Sequence, residues 1–137
     1  MNNVQFEQLI FKHNATTDIK RFAMLKSWAQ FYNECQRADW LLWLYYKTQT
    51  TFEEQIILQN IQIEIILLLI INLEAPEVDA VFKAEIYALS KNCIERQFNF
   101  IQKYYYECTG KDERLQYINK ELIDIVKKQL PIQYWAL

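Results

Sequence analysis

The sequence predicts an all-α protein, a single-domain bundle of six or seven helices around a central apolar helix at about residues 52–73. The 137-residue chain has one glycine and two prolines, too few for the many tight turns of a β-sandwich or barrel. Apolar residues recur at spacings of three and four along most of the chain. Residues that cap helices separate these stretches. The length fits one domain, 1–137.

Two helices are predicted in the first quarter of the chain, over residues 3–13 and 18–35. The second is expected to be capped by Thr17 or Asp18. Its apolar stripe repeats at spacings of four, three and four, through Met24, Trp28, Phe31 and Cys35. This spacing is typical of one continuous helix. A corner at 36–39 then leads into a third helix that runs to about Lys47.

The central helix has both a start signal and an apolar body. Thr51-Phe52-Glu53-Glu54 has the pattern of a capping box. The run 65–71 is apolar on every side, which is typical of a buried helix. Four polar residues interrupt the stretch, Gln59, Asn60, Gln62 and Glu64. Because such groups are costly inside a bilayer, we predict a buried helix of a soluble protein and not a membrane span.

Beyond the central helix we predict a helix from Pro76 to about Leu89 and a helix over 92–108 that Gly110 ends. A break at 90–92 separates them, and the alternative is only a kink in one helix. A last helix follows Asp112 and cannot continue past Pro131. The aromatic tail Tyr134-Trp135 has three possible roles: a protein-binding patch, a cover that folds back over the bundle, or part of a homodimer interface.

Nothing in the sequence indicates catalysis, a cofactor or a metal site. His13 is the only histidine, and it has no carboxylate or cysteine at ligand spacing. The cysteines are three in number, and Cys35 and Cys93 fall on apolar faces, where a thiol acts as a small apolar group. One glycine cannot form a phosphate-binding loop. We therefore expect no enzyme activity, no catalytic residue, no cofactor and no metal.

Charge and cysteine usage bear on partners and compartment. The net charge of −2 and the pI near 5.5 argue against nucleic-acid binding, which needs a basic surface. No Cys-x-x-Cys pair is present, and the first residues lack the basic start and apolar run of a secretory signal. We therefore expect a cytoplasmic protein.

The stretch 35–44 reads Cys-Gln-Arg-Ala-Asp-Trp-Leu-Leu-Trp-Leu, with Trp28 upstream. It resembles a motif of a family of immunity proteins from bacterial polymorphic toxin systems. The ending 122–128, closed by Pro131, is similar to the last helix of that family. The resemblance implies a helical domain that binds a cognate toxin stoichiometrically. The motif positions are Trp28, Cys35, Arg37, Asp39, Trp40 and Trp43.

The motif residues by themselves indicate structure. Asp39 fits the N-cap of the third helix, where its carboxylate can accept from free backbone N–H groups. Arg37 and Asp39, two residues apart, would not face each other on a helix, but at a corner each can hold backbone or a neighbouring helix. The alternative is a recognition point for a bound protein.

Acidic residues are concentrated in the middle of the chain. Residues 51–90 carry seven acids against Lys83 alone, a net charge of −6. Such a concentration would attract a basic partner, such as a nuclease toxin. It also fits acids placed near helix N-termini, where the helix dipole favours them. The candidate partner-binding residues are Glu53, Glu54, Glu74, Glu77 and Asp79.

Two other functions fit the same composition. One is a structural or scaffolding bundle that forms a homodimer. The other is a helical domain that binds a small ligand in an aromatic pocket lined by Trp28, Trp40 and Trp43.

Overall fold

The computed structural model describes residues 1–12, 16–48, 51–72, 93–108 and 113–135. Over these residues the chain is helical and contains no strand, which confirms the predicted fold class. The helices are α1 (Asn3–Lys12), α2 (Thr17–Ala23), α3 (Trp28–Glu34), α4 (Ala38–Thr48), α5 (Phe52–Asn72), α6 (Ile94–Cys108) and α7 (Glu113–Gln129), followed by a short 3-10 helix (Ile132–Trp135). The helix predicted over 76–89 lies outside the described residues.

The core is built around α4 and α5. Helix α5 packs mainly against α6, and α4 contacts α1, α5, α6 and α7. On α5 the buried side chains form one stripe, which consists of Leu58, Ile61, Gln62, Ile65, Ile66 and Leu69. The central position predicted for this helix is therefore correct. Its predicted burial on every side is wrong, because the opposite stripe of the helix is exposed to solvent.

The helix predicted over 18–35 is two helices. Helix α2 ends at Ala23, and Ser27 starts α3 with a capping box. The Ser27 hydroxyl accepts from the Gln30 backbone N–H at 3.2 Å, and the Gln30 side chain accepts from the Ser27 N–H at 2.9 Å. Thr16, and neither Thr17 nor Asp18, caps α2. The apolar stripe continues across the break, which is why spacing alone did not reveal it.

The turn between α2 and α3 holds Leu25 in the left-handed region, with φ at 62°. A Cβ makes this conformation unfavourable by about 1–2 kcal/mol, and the Leu25 side chain is 99% exposed, so packing does not compensate. Beside it, a groove of about 480 Å³ runs between α1 and this turn, with Phe11 and Met24 in its lining.

We expect Leu25→Gly to stabilise the protein by about 0.5–1 kcal/mol, because glycine adopts a positive φ without steric cost but loses more entropy on folding. Thermal unfolding followed by circular dichroism measures the effect. Met24→Gly is the matched control, since Met24 is also exposed but has φ at −57°, and it should lower the unfolding temperature. A lower unfolding temperature for Leu25→Gly would contradict the expected relief of strain.

Buried amides fix how α5 meets α6. The Gln62 side-chain amide donates to the Ile94 carbonyl at 3.1 Å and to the Gln97 side-chain oxygen at 3.0 Å. Both glutamine side chains are about 1% exposed. Because a shift along the helices would leave these buried groups without partners, the pair favours one register of the two helices.

Candidate functional site

The motif at 35–44 forms the corner between α3 and α4. Helix α4 begins at Ala38, so Arg37 stands at the cap position and Asp39 lies inside the first turn, which corrects the predicted N-cap. The two side chains do face each other. Arg37 Nε and Nη2 donate to the two Asp39 carboxylate oxygens, each at 2.8 Å. A two-pronged pair of this kind is among the strongest side-chain interactions.

The Asp39 carboxylate is nearly inaccessible to solvent, whereas the Arg37 side chain keeps some exposure. Burial raises the pKa of the Asp39 carboxyl, while hydrogen bonding to Arg37, the Arg37 charge and the backbone N–H groups of the first turn oppose that rise. Arg37 also lies over the Trp40 ring, 5.0 Å from its centroid. The Arg37 guanidinium therefore contacts both the Asp39 carboxylate and the Trp40 ring at the start of α4.

Cys35 is part of the same corner and belongs to the core. It is fully buried, and its thiol donates to the Arg37 carbonyl at 3.3 Å. Burial raises the pKa of this thiol to about 12. Because the thiolate is the nucleophilic form, this burial disfavours the reactive state of Cys35. Its predicted role as a small apolar core residue is confirmed.

The three motif tryptophans lie in different environments. Trp28 is buried, 4.9 Å from the Trp135 ring and 5.6 Å from the Phe6 ring. Trp40 is half-buried beside Phe22. Trp43 is half-buried and lines a pocket between α4 and α6. The small-ligand hypothesis placed all three in one pocket, and the structure gives each of them different neighbours.

The pocket beside Trp43 has a volume of about 190 Å³. Helix α4 contributes Trp43, Tyr46 and Lys47, which share one face because they are three and four residues apart. Helix α6 contributes Phe98 and Glu95, with Ile94 and Asn99 completing the lining. The Tyr46 hydroxyl donates to the Glu95 carboxylate at 3.2 Å. Burial, then the hydrogen bond to Glu95 and the Glu95 charge, raises the pKa of Tyr46.

The exposed stripe of α5 lies opposite its buried stripe. We call it the α5 outer face, and it consists of Phe52, Glu53, Ile56, Ile57, Asn60, Glu64 and Leu67. Phe52 is 77% exposed, and the two isoleucines are 40% and 44% exposed. No lysine or arginine occurs in this helix, which carries three glutamates. The face therefore combines exposed apolar side chains with exposed carboxylates and is acidic in charge.

The predicted partner-binding residues divide between described and undescribed parts of the chain. Glu53 is exposed on the α5 outer face, and Glu54 is half-buried beside it. The Glu54 backbone N–H donates to the Thr51 hydroxyl at 3.2 Å, which confirms the Thr51 half of the predicted capping box. Glu74, Glu77 and Asp79 lie outside the described residues.

Sequence reasoning missed the apolar members of the α5 outer face and the Tyr46, Glu95 and Phe98 lining of the α4–α6 pocket. A run that is apolar all round does not reveal which side stays exposed. The pairing of α4 with α6 depends on tertiary packing between segments far apart in the chain. The spacing of Trp43, Tyr46 and Lys47 was the available signal, and it could place only half of the pocket.

The remaining features of the described residues give no sign of a metal or a membrane. Within the described ranges, no group of three or more histidine, cysteine, aspartate or glutamate side chains is placed to hold a metal ion. His13 lies outside those ranges. None of the helices in the same ranges combines the length and the apolar character needed to span a bilayer.

Comparison of the chain with protein-family models, with curated proteins and with solved structures finds no match.

Proposed function

We propose that this chain is an immunity protein that binds a basic toxin domain stoichiometrically and neutralises it without turnover. The observation that carries the proposal is the α5 outer face, where exposed apolar side chains alternate with carboxylates and no basic residue is present. The resemblance of the stretch 35–44 to immunity proteins supports the same function.

The chemistry of the face suits a tight, selective complex. Apolar patches that remain exposed on a soluble protein commonly mark interaction sites. Phe52 and Ile56, one helical turn apart at the start of the face, are suited to act as anchors that lose water on binding. Glu53 and Glu64, which are exposed on the same face, would attract a basic partner and increase the association rate. Blocking of the toxin's active site or of its access to substrate would then follow from coverage alone.

A homodimer through the same face is less favourable. In a symmetric dimer the same residues meet on both copies. The carboxylates of two α5 outer faces would therefore be brought together without a lysine or arginine of α5 to offset them. Like charges across an interface are destabilising, so the face fits a basic partner better than a second copy.

Affinity capture from the native host, followed by measurement of the complex mass in solution, tests the proposal. We expect a basic protein bound at a ratio of one to one, which arrests growth when expressed alone and is tolerated when this chain is co-expressed. The double variant Phe52→Ser/Ile56→Ser should weaken binding about tenfold or more. Its matched control is Val4→Ser, because Val4 is 63% exposed and lies on a different helix, α1.

Three results would oppose the proposal. A captured protein without toxicity would remove the immunity function. Recovery of this chain alone at twice its monomer mass would support the homodimer scaffold instead. Equal binding by the double variant and by Val4→Ser would show that the α5 outer face is not the binding surface.

A further inference from the structure

The α4–α6 pocket combines features that suit a positively charged group. Three aromatic side chains, Trp43, Tyr46 and Phe98, line a space of about 190 Å³ together with the exposed Glu95 carboxylate. Aromatic ring faces carry negative potential and attract a cation within about 6 Å of the ring centroid. A carboxylate beside such rings adds a second attraction for the same charge.

Hydrogen bonding holds the carboxylate in position. The Tyr46 hydroxyl donates to Glu95 Oε1 at 3.2 Å, so one aromatic wall and the anionic group are connected. The residues come from two faces with helical spacing, on α4 and at the start of α6. Both helices belong to the packed bundle, and α4 and α6 are in direct contact. The pocket is therefore formed before any ligand arrives, which lowers the entropy lost on binding.

The protein's own Lys47, which follows Tyr46 in the chain, already places a positive charge beside this wall. Lys47 Nζ lies 5.5 Å from the centroid of the Tyr46 ring, within the range of a cation–π contact. Lys47 also belongs to the pocket lining. An incoming cation would compete with this ammonium for the same ring and would be repelled by it.

We propose that the α4–α6 pocket binds the cationic head of an arginine or lysine side chain presented by the partner protein. The pocket is smaller than the roughly 300–1,000 Å³ of ordinary small-molecule sites, so it suits one side-chain head and not a larger ligand. That the cation belongs to a partner protein rests on the proposed function. The affinity of the pocket for a cation does not. A free quaternary ammonium compound has the same chemistry and is the other possible source.

The test uses the full-length protein labelled with 5-fluorotryptophan, whose fluorine spectrum reports each of the four tryptophans. The Trp43 signal is the one lost in Trp43→Phe. Tetramethylammonium and N-acetyl-arginine amide are the cationic probes, and neopentyl alcohol and N-acetyl-citrulline amide are their uncharged counterparts. We expect the cations to shift the Trp43 signal in a saturable manner and the uncharged counterparts to leave it unchanged. Equal shifts from charged and uncharged probes would overturn the proposal.

Two variants should act in opposite directions. Glu95→Gln removes the carboxylate charge and should weaken cation binding about fivefold. Lys47→Met removes the competing ammonium and should strengthen binding by a similar factor. Glu121→Gln, on the exposed surface of α7, is the control and should have no effect. Unchanged affinity in both pocket variants would overturn the proposal even if all proteins fold normally.

The same probes separate the two proposals from each other. Cation binding without any captured basic toxin would leave the pocket established and remove the proposed function. Suppose instead that a toxin is captured, that it binds Glu95→Gln as tightly as the natural chain, and that the cations do not shift the Trp43 signal. The proposed function would then stand and the cation pocket would be ruled out. If bound toxin displaces tetramethylammonium, the cation is a protein side chain. If both bind at once, the pocket takes a free cation and the assignment to the partner is wrong.

Discussion

Replacing Arg37 with methionine is expected to destabilise the protein by about 3–5 kcal/mol at pH 7, because it leaves the Asp39 carboxylate buried without its countercharge. The Asp39 side chain is 1% exposed, and both of its oxygens accept from the Arg37 guanidinium. Methionine keeps an apolar stem against Trp40, so the charge is the main quantity removed. Urea denaturation followed by circular dichroism measures the loss in unfolding free energy.

Replacement of the other member of the pair, Asp39, should lower the unfolding free energy by less. In Asp39→Asn the group left behind is Arg37, whose side chain is 17% exposed and can be hydrated. Arg37→Lys keeps the charge but loses the two-pronged geometry, so we expect an intermediate loss. An equal or larger loss in Asp39→Asn than in Arg37→Met would show that the buried carboxylate is not the source of the instability.

The Arg37→Met effect should also depend on pH. Burial raises the pKa of Asp39 above its ordinary value of 3.8, and removal of Arg37 takes away the main group that opposes the rise. A raised pKa means that the folded state binds the proton more readily than the unfolded state. The contribution of Asp39 to the stability of the variant is therefore fully present below the ordinary pKa and is lost as pH rises through the raised pKa. Consequently, the difference from the natural chain should be small near pH 4 and large at pH 7.

The fold was predictable because periodicity and capping residues act locally. Helix α5 begins at the predicted Thr51 cap, and α7 ends before Pro131 as expected. The break between α2 and α3 was missed because Trp28, Phe31 and Cys35 continue the stripe of α2 after the turn. An apolar stripe indicates which side chains face the core. It does not indicate that the backbone turns at Leu25 and that a new helix is capped at Ser27.

The candidate surfaces were predictable only in part. The acidic character of the start of α5 was visible in the sequence, and Glu53 is indeed exposed. The exposure of Phe52 and Ile56 was not visible, because whether an apolar residue is covered depends on which helices pack beside it. The aromatic pocket needed the pairing of Trp43 with Phe98, which only tertiary structure supplies. Arg37 and Asp39 were noticed, yet their direct pair was missed, since spacing rules for regular helices do not hold where Arg37 precedes the first turn.

The three roles left open for the aromatic tail can be separated at Trp135. Its ring is fully buried and lies 4.9 Å from Trp28, 5.2 Å from Tyr45 and 6.2 Å from Tyr32. Its indole N–H donates to the Leu130 carbonyl at 3.0 Å, and the Tyr32 hydroxyl donates to the same carbonyl at 2.9 Å. This geometry folds the tail back over the bundle and joins the end of α7 to α3 and α4.

Trp135→Ala should therefore lower the unfolding free energy by about 3–5 kcal/mol, as expected for removal of a large buried aromatic side chain. Trp135→Phe should lower the unfolding free energy by less, because a ring still fills most of the site. Some loss remains, since the hydrogen bond to the Leu130 carbonyl is gone. Gln133→Ala, an exposed position of the same 3-10 helix, is the control for changes to the tail itself. Near-natural stability of Trp135→Ala in urea would mean that the tail contributes little to the bundle. Its aromatic side chains would then be available to a partner or a second copy, which the buried position of Trp135 argues against.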